Sequence, residues 1–220
     1  MRTLLTSVLL LAALGAQAQQ RYNLALVSDY LFRGLTKTDH EPALQGGMDV
    51  RRGDAYAGIW LSNIDAPEQA EGIPVQMDAY FGYNHRFGGF NLDTSVVTYN
   101  YLVDSLADET EFRLATNPAK GWELSVARGI KQKTWYPEIR YEHYLQHRLY
   151  LDVMAGVWLQ DDADDKGFNL RAELARDFPE FHSIDLFVAL DFISDQTPFG
   201  MDNDEDDSDI QVVFGIRKNF

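Results

Sequence analysis

From Ile184 to Phe192 every second side chain is apolar (Ile184, Leu186, Val188, Leu190 and Phe192), while Asp185 and Asp191 stand among the residues between them. A period of two sends the two sets to opposite faces of a strand, so a carboxylate pair shares the face away from the hydrophobes. The alternation returns at the end of the chain, where Ile210, Val212, Phe214, Ile216 and Phe220 share one face and Gln211, Arg217 and Asn219 the other. It recurs through most of the sequence after the first turns, with no stretch at helical spacing and no repeat of about 20 to 50 residues. The expected fold class is all-β, either a soluble sheet or a barrel with lipid on one side and a wet lumen on the other.

The start of the chain bears on that choice. Met1 to Ala18 carries Arg2, an apolar stretch from Leu4 to Leu14 and the small-x-small sequence Ala16-Gln17-Ala18, the pattern of an export signal cut before Gln19. The expected organisation is therefore a cleaved signal over 1–18 and one β-barrel domain over 19–220. No run reaches the roughly 20 apolar residues that a membrane-crossing helix needs. Residence in a membrane would then require a closed barrel, because every backbone polar group in hydrocarbon must be paired within the protein.

Strands are expected near 22–34, 43–52, 55–63, 75–87, 90–101, 110–117, 121–129, 135–146, 149–160, 168–176, 184–192 and 210–220, which makes an antiparallel up-and-down barrel of about twelve. The connections alternate in length. Gly53-Asp54, Gly88-Gly89, 117–120, 146–148 and 177–182 are tight, and several hold residues that tolerate positive φ or preset a turn. The others, 35–42, 64–74, 102–109, 130–134, 161–167 and 193–209, are mostly longer. Short periplasmic turns and long extracellular loops are the habit of transmembrane barrels, and an even strand number returns both termini to the periplasm.

Composition narrows the partners. A formal charge of -15 argues against nucleic acid, whose phosphates call for clustered Lys and Arg. The absence of cysteine removes disulfides, thiolate metal sites and thiol nucleophiles. A mean hydropathy of -0.29 beside 45% hydrophobic residues is what alternation produces. Half of the 34 acidic residues fall in the longer connections, including Asp161, Asp162, Asp164, Asp165, Asp202, Asp204, Glu205, Asp206, Asp207 and Asp209. A negative rim of that kind attracts cations within a Debye length of about 8–10 Å.

Ser28-Asp29-Tyr30-Leu31-Phe32-Arg33-Gly34, Pro42-Ala43-Leu44-Gln45-Gly46-Gly47 and Tyr56-Ala57-Gly58-Ile59-Trp60-Leu61-Ser62-Asn63 resemble the TorF-type family of bacterial outer-membrane porins. The similarity continues through Met77 to Tyr83 and Asp93 to Tyr101. The resemblance implies an outer-membrane barrel with a channel role, and it supplies no substrate or catalytic residues.

On the strand register, the face away from lipid collects Asp29, Arg33, Asp49, Arg51, Asp78 and Arg86 in the first half of the chain. Asp93, Arg113, Glu138, Arg140, Glu142, Asp152, Arg171, Glu173, Asp185, Asp191 and Arg217 follow in the second. These are the candidate lumen-lining residues. Charges of both signs either pair and plug the lumen or line opposite walls of a wet pore. Asp29 and Arg33, four residues apart on a strand, would lie roughly 13 Å apart, so their partners must come from other strands. Tyr30, Phe32, Trp60, Phe81, Tyr83, Tyr99, Tyr101, Trp135, Tyr141, Tyr144 and Trp158 are candidates for interfacial girdles, some of them necessarily inward.

The expected function is a narrow passive channel in a bacterial outer membrane for small hydrophilic solutes, with a cation preference. Its partners would be outer-membrane lipid, lipopolysaccharide and those solutes. The alternative is a closed-lumen structural or adhesion barrel acting through its acidic loops. A lipid-modifying enzyme is disfavoured: no Gly-x-Ser-x-Gly elbow is present, and His40 has Asp39 and Glu41 as strand neighbours that would point away from it. Neither a cofactor nor a metal site is expected, since Asp202 to Asp209 lacks the Gly and Glu spacing of a calcium loop.

Overall fold

The structure, a computed structural model, describes residues 18–103, 106, 108–161, 166–182, 184–195 and 208–220. The expected signal sequence, but for Ala18, and the acidic residues Asp162, Asp164, Asp165, Asp202, Asp204, Glu205, Asp206 and Asp207 lie outside them. The strands are β1 (Gln19–Val27), β2 (Leu31–Phe32), β3 (Leu35–Thr36), β4 (Ala43–Arg52), β5 (Ala55–Asn63), β6 (Gly72–Phe87) and β7 (Phe90–Val103). They continue as β8 (Glu109–Thr116), β9 (Trp122–Gly129), β10 (Thr134–Tyr144), β11 (Leu149–Gln160), β12 (Lys166–Phe178), β13 (Ile184–Ile193) and β14 (Asp209–Asn219). All but β2 and β3 form one closed antiparallel barrel in which each strand pairs with its sequence neighbours and β14 returns to β1. Tyr22 and Phe220 exchange backbone hydrogen bonds of 2.8 and 3.3 Å at that seam. With every edge paired, the sheet leaves no open row of backbone groups.

The burial of the barrel is inverted relative to a water-soluble sheet. In β13, Leu190 is 52% exposed and its neighbour Asp191 only 3%. The outward row of β14, from Ile210 through Phe214 to Phe220, is exposed as well. Such a surface suits hydrocarbon and not water. The start of β1, the end of β14 and the tight connections share one end of the barrel, the turn end; the strand ends joined by the longer connections share the other, the loop end. At Gly53-Asp54 and Gly88-Gly89 the first loop residue has φ of +62°. His147 and Arg148 both take positive φ, the backbone demanded by a type I′ hairpin turn.

Apart from the end of the first strand, every barrel-strand boundary falls within three residues of the sequence expectation. Glu109 and Asp209, expected in loops, are the first residues of β8 and β14. The largest change concerns the first strand, expected to run to residue 34: it ends at Val27. Residues 28–42 instead leave the wall and fold inward as a hairpin of β2 and β3. Its two-residue turn, Arg33-Gly34, has φ of +55° and +85°, again the type I′ pattern. The barrel wall resumes at Ala43, which pairs with Val27, so the hairpin is inserted without disturbing the register.

Candidate functional site: the plugged lumen

Asp29 braces the hairpin from within. Its Oδ1 accepts the hydroxyls of Thr36 at 2.7 Å and Thr38 at 2.9 Å, and its Oδ2 lies 3.0 Å from His40 Nδ1. Asp29 and Arg33 therefore sit in a loop and not on a strand face, and the partners of Asp29 come from its own segment. Arg33 behaves differently. From the hairpin tip its guanidinium reaches Glu111 on β8 through two hydrogen bonds of 2.8 and 2.7 Å. Its central carbon lies 3.9 Å from the centroid of the Tyr136 ring on β10 and 5.1 Å from that of Trp158 on β11. Tyr99 on β7 donates to the same carboxylate at 3.0 Å. The adjacent Gly34 packs on β12 and β13, where a Cβ would come within 3.0 Å of Ile193 and 3.1 Å of Asn169.

The hairpin thus crosses the lumen near the loop end. Its own Tyr30 and Phe32 pack on inward aromatics of the wall, Tyr30 on Trp60 at 5.2 Å and Phe32 on Tyr99 at 5.3 Å, and Trp158 faces Arg33. Phe81, Tyr83, Trp135 and Tyr144 are exposed on the outer face, the orientation that a girdle requires. Lys37, in the loop after β3, places its ammonium 5.7 Å from the Phe32 ring and 5.6 Å from Tyr101. Burial pushes that ammonium below its ordinary pKa, with the Asp78 carboxylate opposing the shift.

Below the hairpin lie two cavities of about 440 and 520 Å³. The upper one is lined by Asp29, Arg33, Arg113, Glu138 and Asp191, and both share Arg140, Arg171, Glu173 and Arg217. The lower one, toward the turn end, adds Glu142, Asp152 and Asp185. The shared residues form a network: Arg171 bonds Asp191 at 2.7 Å and Glu173 at 2.9 Å, and Arg217 reaches Glu173 at 2.7 Å and Asp185 at 3.4 Å. In the lower cavity three arginines (Arg140, Arg171, Arg217) face five carboxylates (Glu142, Asp152, Glu173, Asp177, Asp185), a formal surplus of two negative charges.

The remaining candidates occupy the opposite wall and the turn-end rim. Tyr80 on β6 lies across Gly58 on β5 and donates to Asp49 on β4, while Tyr56 on β5 lies across Gly82 on β6 and donates to Asp93 on β7 at 2.6 Å. A side chain at either glycine would collide with the ring above it, so these glycines are what lets the tyrosines lie flat. Tyr56 and Tyr80 had no place among the sequence candidates; the signal was their position opposite glycine in the β5–β6 register. Gln76 bonds Asp78 at 2.9 Å, Arg51 stands 5.2 Å from the Tyr56 ring, and Arg86 meets Asp54 at 3.2 Å at the rim. Of the acidic connections, Asp161 pairs with Arg128, whose guanidinium holds its carboxyl below the usual carboxylate range. No group of three or more metal-ligating side chains occurs among the described residues.

A closed antiparallel barrel with an apolar exterior and a charged interior is the architecture of a transmembrane β-barrel of the outer-membrane type. The family model described as "Bacterial protein of unknown function (Gcw_chp)" matches residues 15–120, which include β1 to β8 and the inserted hairpin. No curated protein sequence matches the chain. Among solved structures it is similar to the KdgM porin, with a TM-score of 0.57 at 7% identity over 91% of this chain and 98% of that one. The KdgM porin in complex with disordered oligogalacturonate gives a TM-score of 0.57 at 8% identity over 91% and 98%. The Acinetobacter baumannii outer membrane protein Omp33 gives 0.51 at 7% identity over 91% and 97%. At these identities the likeness is one of fold.

Proposed function

We propose that this protein is an outer-membrane channel for small hydrophilic solutes, with a preference for cations, exported by a signal cut after Ala18. The turn end then faces the periplasm and the hairpin guards the extracellular half. The observation that carries this reading is the pair of stacked cavities lined by ionised side chains inside an apolar-surfaced barrel. Charges kept in a space wide enough for water need not all be paired, whereas a dry interior would demand it. The negative surplus of the lower cavity and the acidic connections both favour cations. The similarity to KdgM and Omp33 and the resemblance of Ser28–Gly34 to TorF-type porins support the same role. The oligogalacturonate in one KdgM structure, a polyanion, supports the channel for hydrophilic solutes in this fold and has no bearing on the preference for cations.

The hairpin crossing the lumen favours a second reading, a structural barrel with a shut interior. Planar-bilayer recording separates the two. Discrete conductance steps with a reversal potential displaced toward the cation equilibrium are expected; a purified, folded protein that inserts without producing steps would leave the shut barrel.

A further inference from the structure

The surroundings of Arg33 are those of a ligand site whose ligand happens to be part of the chain. Tyr99, Glu111, Tyr136 and Trp158 all belong to the barrel wall, on β7, β8, β10 and β11, and none depends on the hairpin for its backbone position. Asn169 on β12 accepts the Tyr136 hydroxyl at 2.7 Å and so fixes the ring on which the guanidinium stacks. The carboxylate of Glu111 is nearly inaccessible and receives three hydrogen bonds, two from Arg33 and one from Tyr99. Its two-oxygen, two-nitrogen geometry suits a planar fork and not a point charge, and an aromatic face at 3.9 Å suits a flat, weakly hydrated cation. Withdrawal of the hairpin would leave a buried anion beside open aromatic faces, an arrangement that needs a cation to replace the one lost.

We propose that this cage is a guanidinium-recognition site, occupied by Arg33 as a tethered ligand when the lumen is shut, and that free guanidinium-bearing solutes take its place when the hairpin swings aside. The inference rests on the channel reading for its role in permeation, but the binding itself does not require conduction. A tethered group acts at an effective concentration in the millimolar range, so a free competitor meets the intact protein at a disadvantage that removal of Arg33 abolishes.

The test uses L-arginine as the probe and citrulline, its uncharged ureido counterpart, as the control. Binding to the detergent-solubilised, full-length protein is followed by titration calorimetry. Arg33→Ala is expected to bind L-arginine at least about tenfold more tightly than the unaltered protein does. It should not bind citrulline, and the gain should vanish in the double variant Arg33→Ala/Glu111→Gln. If Arg33→Ala does not fold, Arg33→Gln keeps a long polar side chain but has neither the charge nor the fork, and the same tenfold gain is required of it. Equal affinity for L-arginine in variant and unaltered protein, or equal affinity for citrulline, would overturn the proposal. In bilayers, a variant that binds L-arginine yet gives no conductance steps would overturn the channel reading and leave the site standing. One that conducts but binds no L-arginine would do the reverse.

Discussion

Gly58 and Gly82 set the width of one side of the lumen through what they lack. Each faces a tyrosine on the neighbouring strand, and with no Cβ in the way the two rings lie along the wall with their hydroxyls on Asp49 and Asp93. Gly156 under Tyr136 and Gly215 under Phe187 repeat the device across the barrel. Gly82→Ala should lift Tyr56 off the wall, break its bond to Asp93 and destabilise the barrel by about 1–3 kcal/mol, the usual cost of overpacking. Urea unfolding in detergent would measure the loss, and single-channel conductance should fall, because the displaced ring occupies the passage. A second residue effect lies at Glu109. Its carboxylate accepts the backbone N–H groups of Ile130, Lys131 and Gln132 at 3.2, 3.0 and 2.7 Å, which holds the connection between β9 and β10. Glu109→Ala should cost about 1–3 kcal/mol by leaving the N–H groups of Lys131 and Gln132 without this acceptor, while Ile130 keeps its bond to the Thr110 carbonyl at 3.0 Å; the same unfolding experiment reads the loss.

The inserted hairpin is the element with most bearing on permeability. It is braced at its base by Asp29 and held against the wall at its tip through Arg33 and Gly34. Replacing residues 30–38 with a Gly-Ser linker should leave the barrel folded, since β1 and β4 keep their pairing from Val27–Ala43 to Gln19–Arg51. Conductance should then rise and its fluctuations diminish; an unchanged conductance would mean that the hairpin does not obstruct the path. The barrel strands were legible in the sequence because lipid and lumen impose opposite chemistries on alternate residues, and the turns because Gly and Pro mark them. The hairpin was not, because Tyr30 and Phe32 prolong the even-numbered apolar row of Tyr22, Leu24 and Leu26 while Asp29 and Arg33 continue the other face. The departure from the wall is encoded in Arg33-Gly34, a two-residue I′ turn whose signal is weaker than Asn-Gly. Arg33 does find its partner on another strand, but it reaches Glu111 on β8 only because the loop turns inward. Asp29, whose partners are local hydroxyls, follows a different rule: short-range bonds to Thr36 and Thr38 compete with strand pairing.

For the whole molecule, selectivity is a matter of where the excess negative charge resides. The lower cavity carries two more carboxylates than arginines, and a second group of acids is expected from the sequence in the long connections, where solvent would screen them. Asp152→Asn with Asp185→Asn should reduce the cation-over-anion permeability ratio at both low and high salt, as both carboxylates are largely shielded within the lower cavity. Neutralising the acids between 202 and 209 should reduce it at low salt only. Reversal potentials under a KCl gradient distinguish the two, and identical salt dependence for both sets would contradict this division of labour.

A closure that depends on the side chain of one turn residue can be retuned cheaply in evolution. Because the hairpin keeps its own shape and the twelve staves of the cylinder close without it, exchanging the amino acid at position 33 would alter how tightly the passage is bolted and leave the mould of the vessel intact.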